Sequence, residues 1–194
     1  MKEQVTLDEN PGTTYAYSNL GAGLLGHVLS KQSNMTYDAL LKQKIFSKYK
    51  MSHSTALIDE VENPLIKGRN KKGDVTSNWD MASLAGAGGV LSTVVDLPKF
   101  AQAQFNTQDE VLSLSRKRTH TINKNLGIAL GWHIITTRSG DQWYWHNGGT
   151  GGYSSSMTID VNNKKGVIIL SNLSAFHALN KNIDPLGYEL LKTL

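Results

Sequence analysis

The sequence predicts an α+β protein in which helices accompany an antiparallel β-sheet. Helical apolar spacing dominates the chain up to about residue 120, and short β-rich segments separated by turn signals dominate the rest. The chain has 194 residues, of which 39% are hydrophobic, enough for one sizeable core. We therefore expect one domain over residues 1–194, with a helical portion at about 10–120 and antiparallel strands with a C-terminal helix at about 121–194.

The first predicted helix follows the turn segment NPGTTYAYSNLG, residues 10–21. Pro-Gly followed by small polar residues is typical of a turn. Apolar residues then recur at the spacing of a helix, at Leu20, Leu24, Leu25, Val28 and Leu29. The turn should therefore deliver the tripeptide Tyr17-Ser18-Asn19 to a helix N-terminus.

Two more helices are predicted in this half of the chain. One covers residues 36–49, with Thr36 as its cap, and another follows a glycine-rich turn and ends at Phe105, with Ser92 or Thr93 as its cap. Residues 52–83 between them are polar and should form a long excursion containing at most short strands.

The second half has the pattern of an antiparallel meander. Its β-rich segments are separated by the turn signals Ser-Gly-Asp, a glycine cluster, and Asn-Asn-Lys-Lys-Gly. The final segment, NIDPLGYELLKTL, predicts a helix with Asp184 as its cap and Pro185 at its first position. The predicted strand segments are LGIALGWHIITT, QWYWHNGG, YSSSMTIDVN and KGVIILSNL.

Composition excludes several classes of function. The net charge of +4 is spread along the chain apart from short clusters at 67–72 and 116–118, so no nucleic-acid partner is expected. There is no cysteine, the six histidines lack metal-binding spacing, and the glycines at 86–89 lack the lysine of a phosphate loop, so we expect no metal or cofactor. Neither a membrane-spanning run nor a signal peptide after Met1 is recognisable.

Two segments carry side chains suited to chemistry. Tyr17 and Asn19 can present a phenol and a carboxamide to one cavity, although, taken alone, the tripeptide is better explained by a packed tyrosine beside a helix-capping asparagine. His146 ends a predicted strand, and the glycine-rich residues 147–152 after it offer a bare backbone that a ligand can approach closely. The alternative is a glycine turn of the meander with a half-buried histidine.

Taken in order, four segments resemble the serine β-lactamase and penicillin-binding protein superfamily, in its class C β-lactamase and D-alanyl-D-alanine carboxypeptidase branch. The segment PGTTYAYSNLG is similar to the Tyr-x-Asn region of that branch, and HNGGTGGYSS is similar to its Lys-Thr-Gly or His-x-Gly motif. The other two similar segments are IFSKYKMSHS and AGAGGVLSTVVDLPKF. The resemblance implies the β-lactamase/transpeptidase-like fold.

The resemblance also implies roles for particular residues. Tyr17 would transfer protons, Asn19 would bind the substrate amide, and His146 would face a substrate carboxylate where many members have lysine. Gly148 occupies the third position of the same motif, and Tyr153, on a following edge strand, would help to supply backbone hydrogen bonds. Since histidine changes charge between pH 5 and 8, carboxylate binding by His146 should weaken as the pH rises.

The sequence departs from the family pattern at the nucleophile. Members carry a Ser-x-x-Lys motif well before the Tyr-x-Asn region, whereas only sixteen residues precede Tyr17. The one literal match, Ser47 to Lys50, falls downstream of Tyr17 and should lie at a helix end. We therefore interpret the chain as the C-terminal portion of one β-lactamase-like domain, which alone should turn over little substrate.

The resemblance leaves the exact reaction open among β-lactamase, carboxypeptidase, esterase and aminopeptidase activities. Histidine in place of lysine argues slightly against a dedicated β-lactamase. The expected partner is a β-lactam or a D-alanyl peptide, in an extracytoplasmic or periplasmic location. The alternative is a non-catalytic module that binds β-lactams or peptidoglycan. A sheet without its N-terminal strands would expose an edge that favours self-association.

Overall fold

The computed structural model of the chain describes residues 6, 7, 9–62 and 64–194. The residues directly after Met1, where no signal peptide is recognisable, lie largely outside this part. The helices are α1 (Asn19–Ser33), α2 (Tyr37–Leu41), α3 (Asp96–Ala103), α4 (Glu110–Arg116) and α5 (Ile183–Thr193). The strands are β1 (Gly68–Arg69), β2 (Val75–Thr76), β3 (His120–Asn123), β4 (Leu126–Ile128), β5 (His133–Thr136), β6 (Gln142–Gly149), β7 (Ser154–Asp160) and β8 (Lys165–Ser171).

Six of the strands form an antiparallel meander in the order β3-β4-β5-β6-β7-β8. The predicted α+β class with an antiparallel sheet is therefore confirmed. The core lies on the sheet face that carries Ile134, Tyr144 and Ile159, which are register partners on three neighbouring strands. Phe100 and Ala101 of α3 pack against this face. Helix α5 contacts β7 and β8.

The opposite face of β7 is lined with small polar side chains. Ser154, Ser156 and Thr158 are buried there. A Cβ added at Gly187 of α5 would lie 3.8 Å from the Ser156 hydroxyl oxygen and 3.9 Å from that of Thr158. The small hydroxyl side chains thus allow α5 to lie close to the sheet.

Helix α1 forms where its apolar spacing predicts, but its leucines do not face the rest of this chain. Its five periodic apolar side chains are between 44% and 59% exposed. The helix packs instead through Gly23 and Gly26, where an added Cβ would lie 2.6 Å from Leu84 and 2.9 Å from Gly86. The pattern therefore predicts the helix correctly without indicating the face that packs.

Hydroxyl caps begin three of the helical segments. Ser18 accepts a hydrogen bond from the Gly21 N–H (2.9 Å), and Thr36 accepts one from the Ala39 N–H (3.2 Å). Of the two caps considered for α3, Thr93 accepts from the Asp96 N–H at 3.1 Å. The predicted cap at Asp184 is wrong, because Asn182 precedes the helix there and Asp184 lies within its first turn.

Candidate functional site

Two segments that are distant in the sequence meet beside β6. The ring centroids of Tyr17 and His146 are 6.5 Å apart, with the rings tilted by 42°. Ser18 fixes the chain directly after Tyr17 by capping α1, and His146 is held in β6 opposite Met157 of β7. The Tyr17 side chain is 61% exposed, so its phenol is accessible to a ligand.

The strand that carries His146 has an open edge. β5 begins opposite Trp145, whereas β7 pairs with β6 as far as Gly149. Within the described residues, 146–149 thus has a strand partner only on the β7 side. The Thr150 N–H donates to the Tyr153 carbonyl at 2.9 Å, so by alternation the backbone groups of Gly149 point to the open edge. An extended ligand can add to such an edge.

His146 is oriented by its own strand. Its Nδ1 lies 2.6 Å from the Asn147 carbonyl oxygen, a hydrogen bond that requires the proton on Nδ1 because a carbonyl only accepts. The second ring nitrogen, Nε2, is then left for a ligand. This arrangement gives the site an imidazole with a defined tautomer in its neutral form.

Asp184 anchors the other face of the same strand. Its carboxylate accepts hydrogen bonds from the Trp145 indole N–H (3.0 Å) and the Asn147 side-chain amide (2.8 Å). The residue that was predicted as a helix cap therefore ties α5 to β6. Burial, followed by the charge of Asp184, raises the pKa of the neighbouring Tyr188 far above its ordinary value of 10.0.

Tyr15 and His133 form a second pair next to the first. The Tyr15 hydroxyl lies 3.3 Å from His133 Nε2, and the His133 ring centroid is 5.7 Å from that of His146. Burial lowers the pKa of His133, and the adjacent His146 lowers it further. This pair was not predicted from the sequence. A usable signal was the spacing of Tyr15 and Tyr17, since alternate residues of an extended segment share a side.

Three glycines at the end of β6 and in the turn after it lie close to other parts of the chain. A Cβ at Gly148 would lie 2.6 Å from the Ser155 hydroxyl oxygen, one at Gly149 would lie 2.5 Å from Ala175, and one at Gly151 would lie 2.6 Å from the Trp79 indole nitrogen. Another part of the chain therefore lies close to each of these glycines on its Cα side, although Gly148 and Gly149 are themselves exposed. Their absent side chains let neighbouring loops pack onto the turn.

Asn19 and Tyr153 differ in how the structure uses them. Asn19 is the first residue of α1 and is exposed, two positions from Tyr17. Tyr153 does not lie on an edge strand, because β7 has neighbours on both sides. Its N–H donates to the Thr150 hydroxyl (3.1 Å) and its own hydroxyl donates to the Ile66 carbonyl (2.7 Å). The expected edge-strand position of Tyr153 is thus wrong, while its backbone contribution to a ligand stays a prediction.

A cavity of about 700 Å³ separates the sheet from the helical layer. His146 and Asn147 lie at this cavity, and Ser47 is not among its lining residues. Ser47 follows a π-helical turn and Lys50 has a left-handed backbone (φ of 58°), so the predicted position of this motif at a helix end is confirmed. The apolar part of the lining includes Ile45, Tyr49, Leu97, Phe100, Met157, Ile168 and Leu170.

Two negative findings concern the part of the chain that the structure describes. No helix there is long and apolar enough to cross a membrane. No group of three or more His, Cys, Asp or Glu side chains there is arranged to hold a metal ion.

Two curated bacterial proteins are similar to this chain over most of its length. The chain is 20% identical to a beta-lactamase of Escherichia coli, over 84% of this chain and 52% of that protein. It is 25% identical to penicillin-binding protein 4* of Bacillus subtilis, over 84% of this chain and 40% of that protein. The chain thus spans about half or less of the length of these curated relatives.

Solved structures share the fold. A class C beta-lactamase superimposes with a TM-score of 0.84 at 19% identity, covering 99% of this chain and 61% of the other. A beta-lactamase/D-alanine carboxypeptidase from Pseudomonas syringae gives the same TM-score at 19% identity, covering 97% of this chain and 62% of the other. The sequence model of the beta-lactamase family matches residues 2–189. The chain therefore belongs to the beta-lactamase family.

Proposed function

We propose that the chain forms one side of the acyl-transfer site of a serine hydrolase that cleaves amide bonds of β-lactams or D-alanyl peptides, with the nucleophilic serine outside these 194 residues. The observation that carries this proposal is the meeting of Tyr17 with His146 at the open edge of β6. It joins a proton-transfer group, a group able to bind a carboxylate, and free backbone hydrogen-bonding groups in one place.

The proposed chemistry follows from these groups. A serine oxygen attacks the amide carbonyl carbon, the carbon–nitrogen bond breaks, and the serine proton passes by way of the Tyr17 oxygen to the departing nitrogen. Water later releases the acyl group as a carboxylic acid and restores the serine. Asn19 binds the substrate amide, and protonated His146 binds the substrate carboxylate.

Backbone groups of β6 complete the proposed site. The Gly149 N–H points to the open edge, where it can donate to a substrate carbonyl oxygen as charge develops on it. Gly148 leaves the backbone accessible on the exposed side of the same strand. An extended D-alanyl peptide lying along 146–149 would use both its own amides and the strand's.

The cavity between the sheet and the helical layer supports the proposed origin of the serine. Its lining is predominantly apolar, and it reaches His146 and Asn147. An amphipathic helix lying in an apolar groove buries its apolar face and presents polar residues at the groove's mouth. We infer that the helix carrying the Ser-x-x-Lys motif occupies this cavity in the complete hydrolase. D-alanyl peptides belong to the cell wall, which favours an extracytoplasmic location.

A chimera tests this proposal. The N-terminal portion of the Escherichia coli beta-lactamase, placed before this chain, should restore covalent labelling by a fluorescent penicillin. Tyr17→Phe in the chimera should slow acylation by at least about 100-fold, because the proton transfer is lost. His27→Gln, at an exposed position of α1, is the matched control and should leave the rate unchanged.

The outcomes separate two functions. Saturable binding of the penicillin without any adduct would contradict acyl transfer and favour a non-catalytic binding module, since the open edge and the cavity need no nucleophile to hold a ligand. Acylation that is equally fast in the Tyr17→Phe chimera would remove the proposed role of Tyr17.

A further inference from the structure

Two tyrosines and two histidines are grouped where the 13–18 segment crosses the start of β5. Tyr15 contacts His133, with ring centroids 6.1 Å apart and a hydroxyl-to-Nε2 distance of 3.3 Å. His133 in turn lies 5.7 Å from His146, centroid to centroid, and His146 lies 6.5 Å from Tyr17. The four rings form a continuous row, of which the proposed function uses only one end.

The hydrogen bonding of His133 restricts its protonation. Its Nδ1 is buried and has no partner among the described residues, so Tyr15 satisfies only the other nitrogen. If Tyr15 donated to Nε2, the proton on Nδ1 would be a buried donor without an acceptor. If Nε2–H donates to the Tyr15 oxygen, Nδ1 carries only a lone pair. Burying an unpaired acceptor costs less free energy than burying an unpaired N–H donor. The cationic form would bury both a charge and an unpaired donor.

Tyr15 and Tyr17 therefore differ in exposure and in hydrogen bonding. Burial raises the pKa of Tyr15, and the adjacent Tyr17 raises it further. Tyr15 is partly buried and bonded to an imidazole, whereas Tyr17 is largely exposed. Accepting the Nε2 proton leaves the phenolic proton of Tyr15 free to be donated.

We propose that His133 is a positioning residue of this site: as a neutral imidazole protonated on Nε2, it holds Tyr15 as a neutral hydrogen-bond donor beside Tyr17. The phenolic proton of Tyr15 is then free to be donated to a ligand at this site. This inference deepens the proposed function, because it concerns the same site, but its protonation states are defined without any turnover.

Other ionisable groups lie around the row, and among the described residues no hydrogen bond or ion pair joins them to His133. Trp145 separates His133 from α5, where Asp184 bonds to the Trp145 indole and Tyr188 packs on that ring at 6.1 Å. In the described part of the chain, His133 takes part in no ion pair. The cationic groups that line the cavity with His146 are Lys44 and Lys48.

The test is a nitrogen-15 NMR titration of the histidine rings in the full chain from about pH 4.5 to 8. We expect His133 to show the Nε2-protonated tautomer at neutral pH and to titrate below the exposed histidines. His146→Gln should raise the His133 midpoint, because it removes the imidazole whose charge, 5.7 Å away, disfavours protonation of His133. Tyr15→Phe should shift the His133 Nε2 resonance, and His27→Gln should change neither quantity.

Two results would overturn the inference. One is a His133 that titrates together with the exposed histidines, and the other is an Nδ1-protonated tautomer. The wild-type spectrum alone decides both, so a variant that fails to fold does not weaken the test. If the chimera fails to acylate while this titration behaves as expected, the proposed function is wrong and the positioning of Tyr15 stands.

Discussion

Two buried aspartates hold the segment after the π-helical turn against its neighbouring helices. Asp38 accepts hydrogen bonds from the Thr55 hydroxyl (2.8 Å) and the Ala56 N–H (2.6 Å). Asp96, which is 0% exposed, accepts from the His53 N–H and the Ser54 hydroxyl and pairs with Lys99 at 2.7 Å. These carboxylates join α2 and α3 to a stretch that has little regular structure of its own.

Stability should therefore fall in acid. Burial alone raises the pKa of Asp96, but the hydrogen bonds from Lys99, His53 and Ser54 more than reverse this and leave the pKa below its ordinary 3.8. Because the folded pKa is depressed, the stabilisation is complete well above pH 3.8 and is lost as the pH falls through the lowered value. Asp96→Asn should cost about 2 to 4 kcal/mol in urea unfolding at pH 7 and flatten the acid dependence. Equal losses from Asp96→Asn and from the exposed Asp74→Asn would contradict this account.

The turn after β6 gives a second prediction at a single residue. Gly151→Ala should destabilise the chain by about 1 to 3 kcal/mol, because the new methyl group would collide with the Trp79 indole. Gly131→Ala is the matched control, since a Cβ there meets nothing within 4 Å. Thermal unfolding of both variants measures the difference. Adding Trp79→Ala to Gly151→Ala should remove the clash, and additive losses in the double variant would argue against it.

At the scale of elements, the sequence predicted those features that depend on neighbouring residues, such as helix caps and turns. Thr36 and Thr93 cap helices as predicted, and the meander follows its turn residues, whereas Ser18 caps α1 in place of the asparagine that the sequence suggested. Helix α4 and strand β3 were not predicted, although Asp109 before Glu-Val-Leu is a usable cap signal. Asp184 was assigned wrongly because its partner, the Trp145 indole, is distant in sequence.

The Ser18 cap connects this scale to the site. Ser18→Ala should lower the free energy of unfolding by about 1 kcal/mol, because the Gly21 N–H loses its acceptor. Ser33→Ala at the other end of α1, where the hydroxyl only donates to a helix carbonyl, should have a smaller effect. Urea unfolding compares the two. An equal loss for both serines would mean that the cap does not fix the chain beside Tyr17.

At the scale of the whole molecule, hydrophobic periodicity could not predict which distant residues meet at the candidate site. The placement of Tyr17 near His146 was expected only from the family resemblance, since no local pattern relates a helix N-terminus to a strand so far along the chain. His133 was missed because its neighbours, Tyr15 and His146, come from two other segments. The contacts of the turn glycines with Trp79 and Ala175 were not predicted, because those two residues are also distant in sequence.

The exposed leucines of α1 carry a further expectation. Together with β8, which lies at an edge of the sheet, they leave apolar surface and backbone groups available to a second copy. Leu25→Lys should reduce self-association in light scattering without lowering the unfolding temperature, because the residue is 59% exposed. Lys31→Gln, a polar change near the end of the same helix, should leave association as it is. A loss of stability in Leu25→Lys would show that the leucine packs within the chain.

Intact mass spectrometry after incubation with a fluorescent penicillin tests whether this chain holds one wall of the proposed acyl-transfer site but not its nucleophile. We expect the mass of the chain alone to stay unchanged, and the adduct in the chimera to lie on the serine of the added Ser-x-x-Lys segment. A stable, stoichiometric acyl adduct on any serine of this chain, Ser47 above all, would show that the nucleophile lies within these residues.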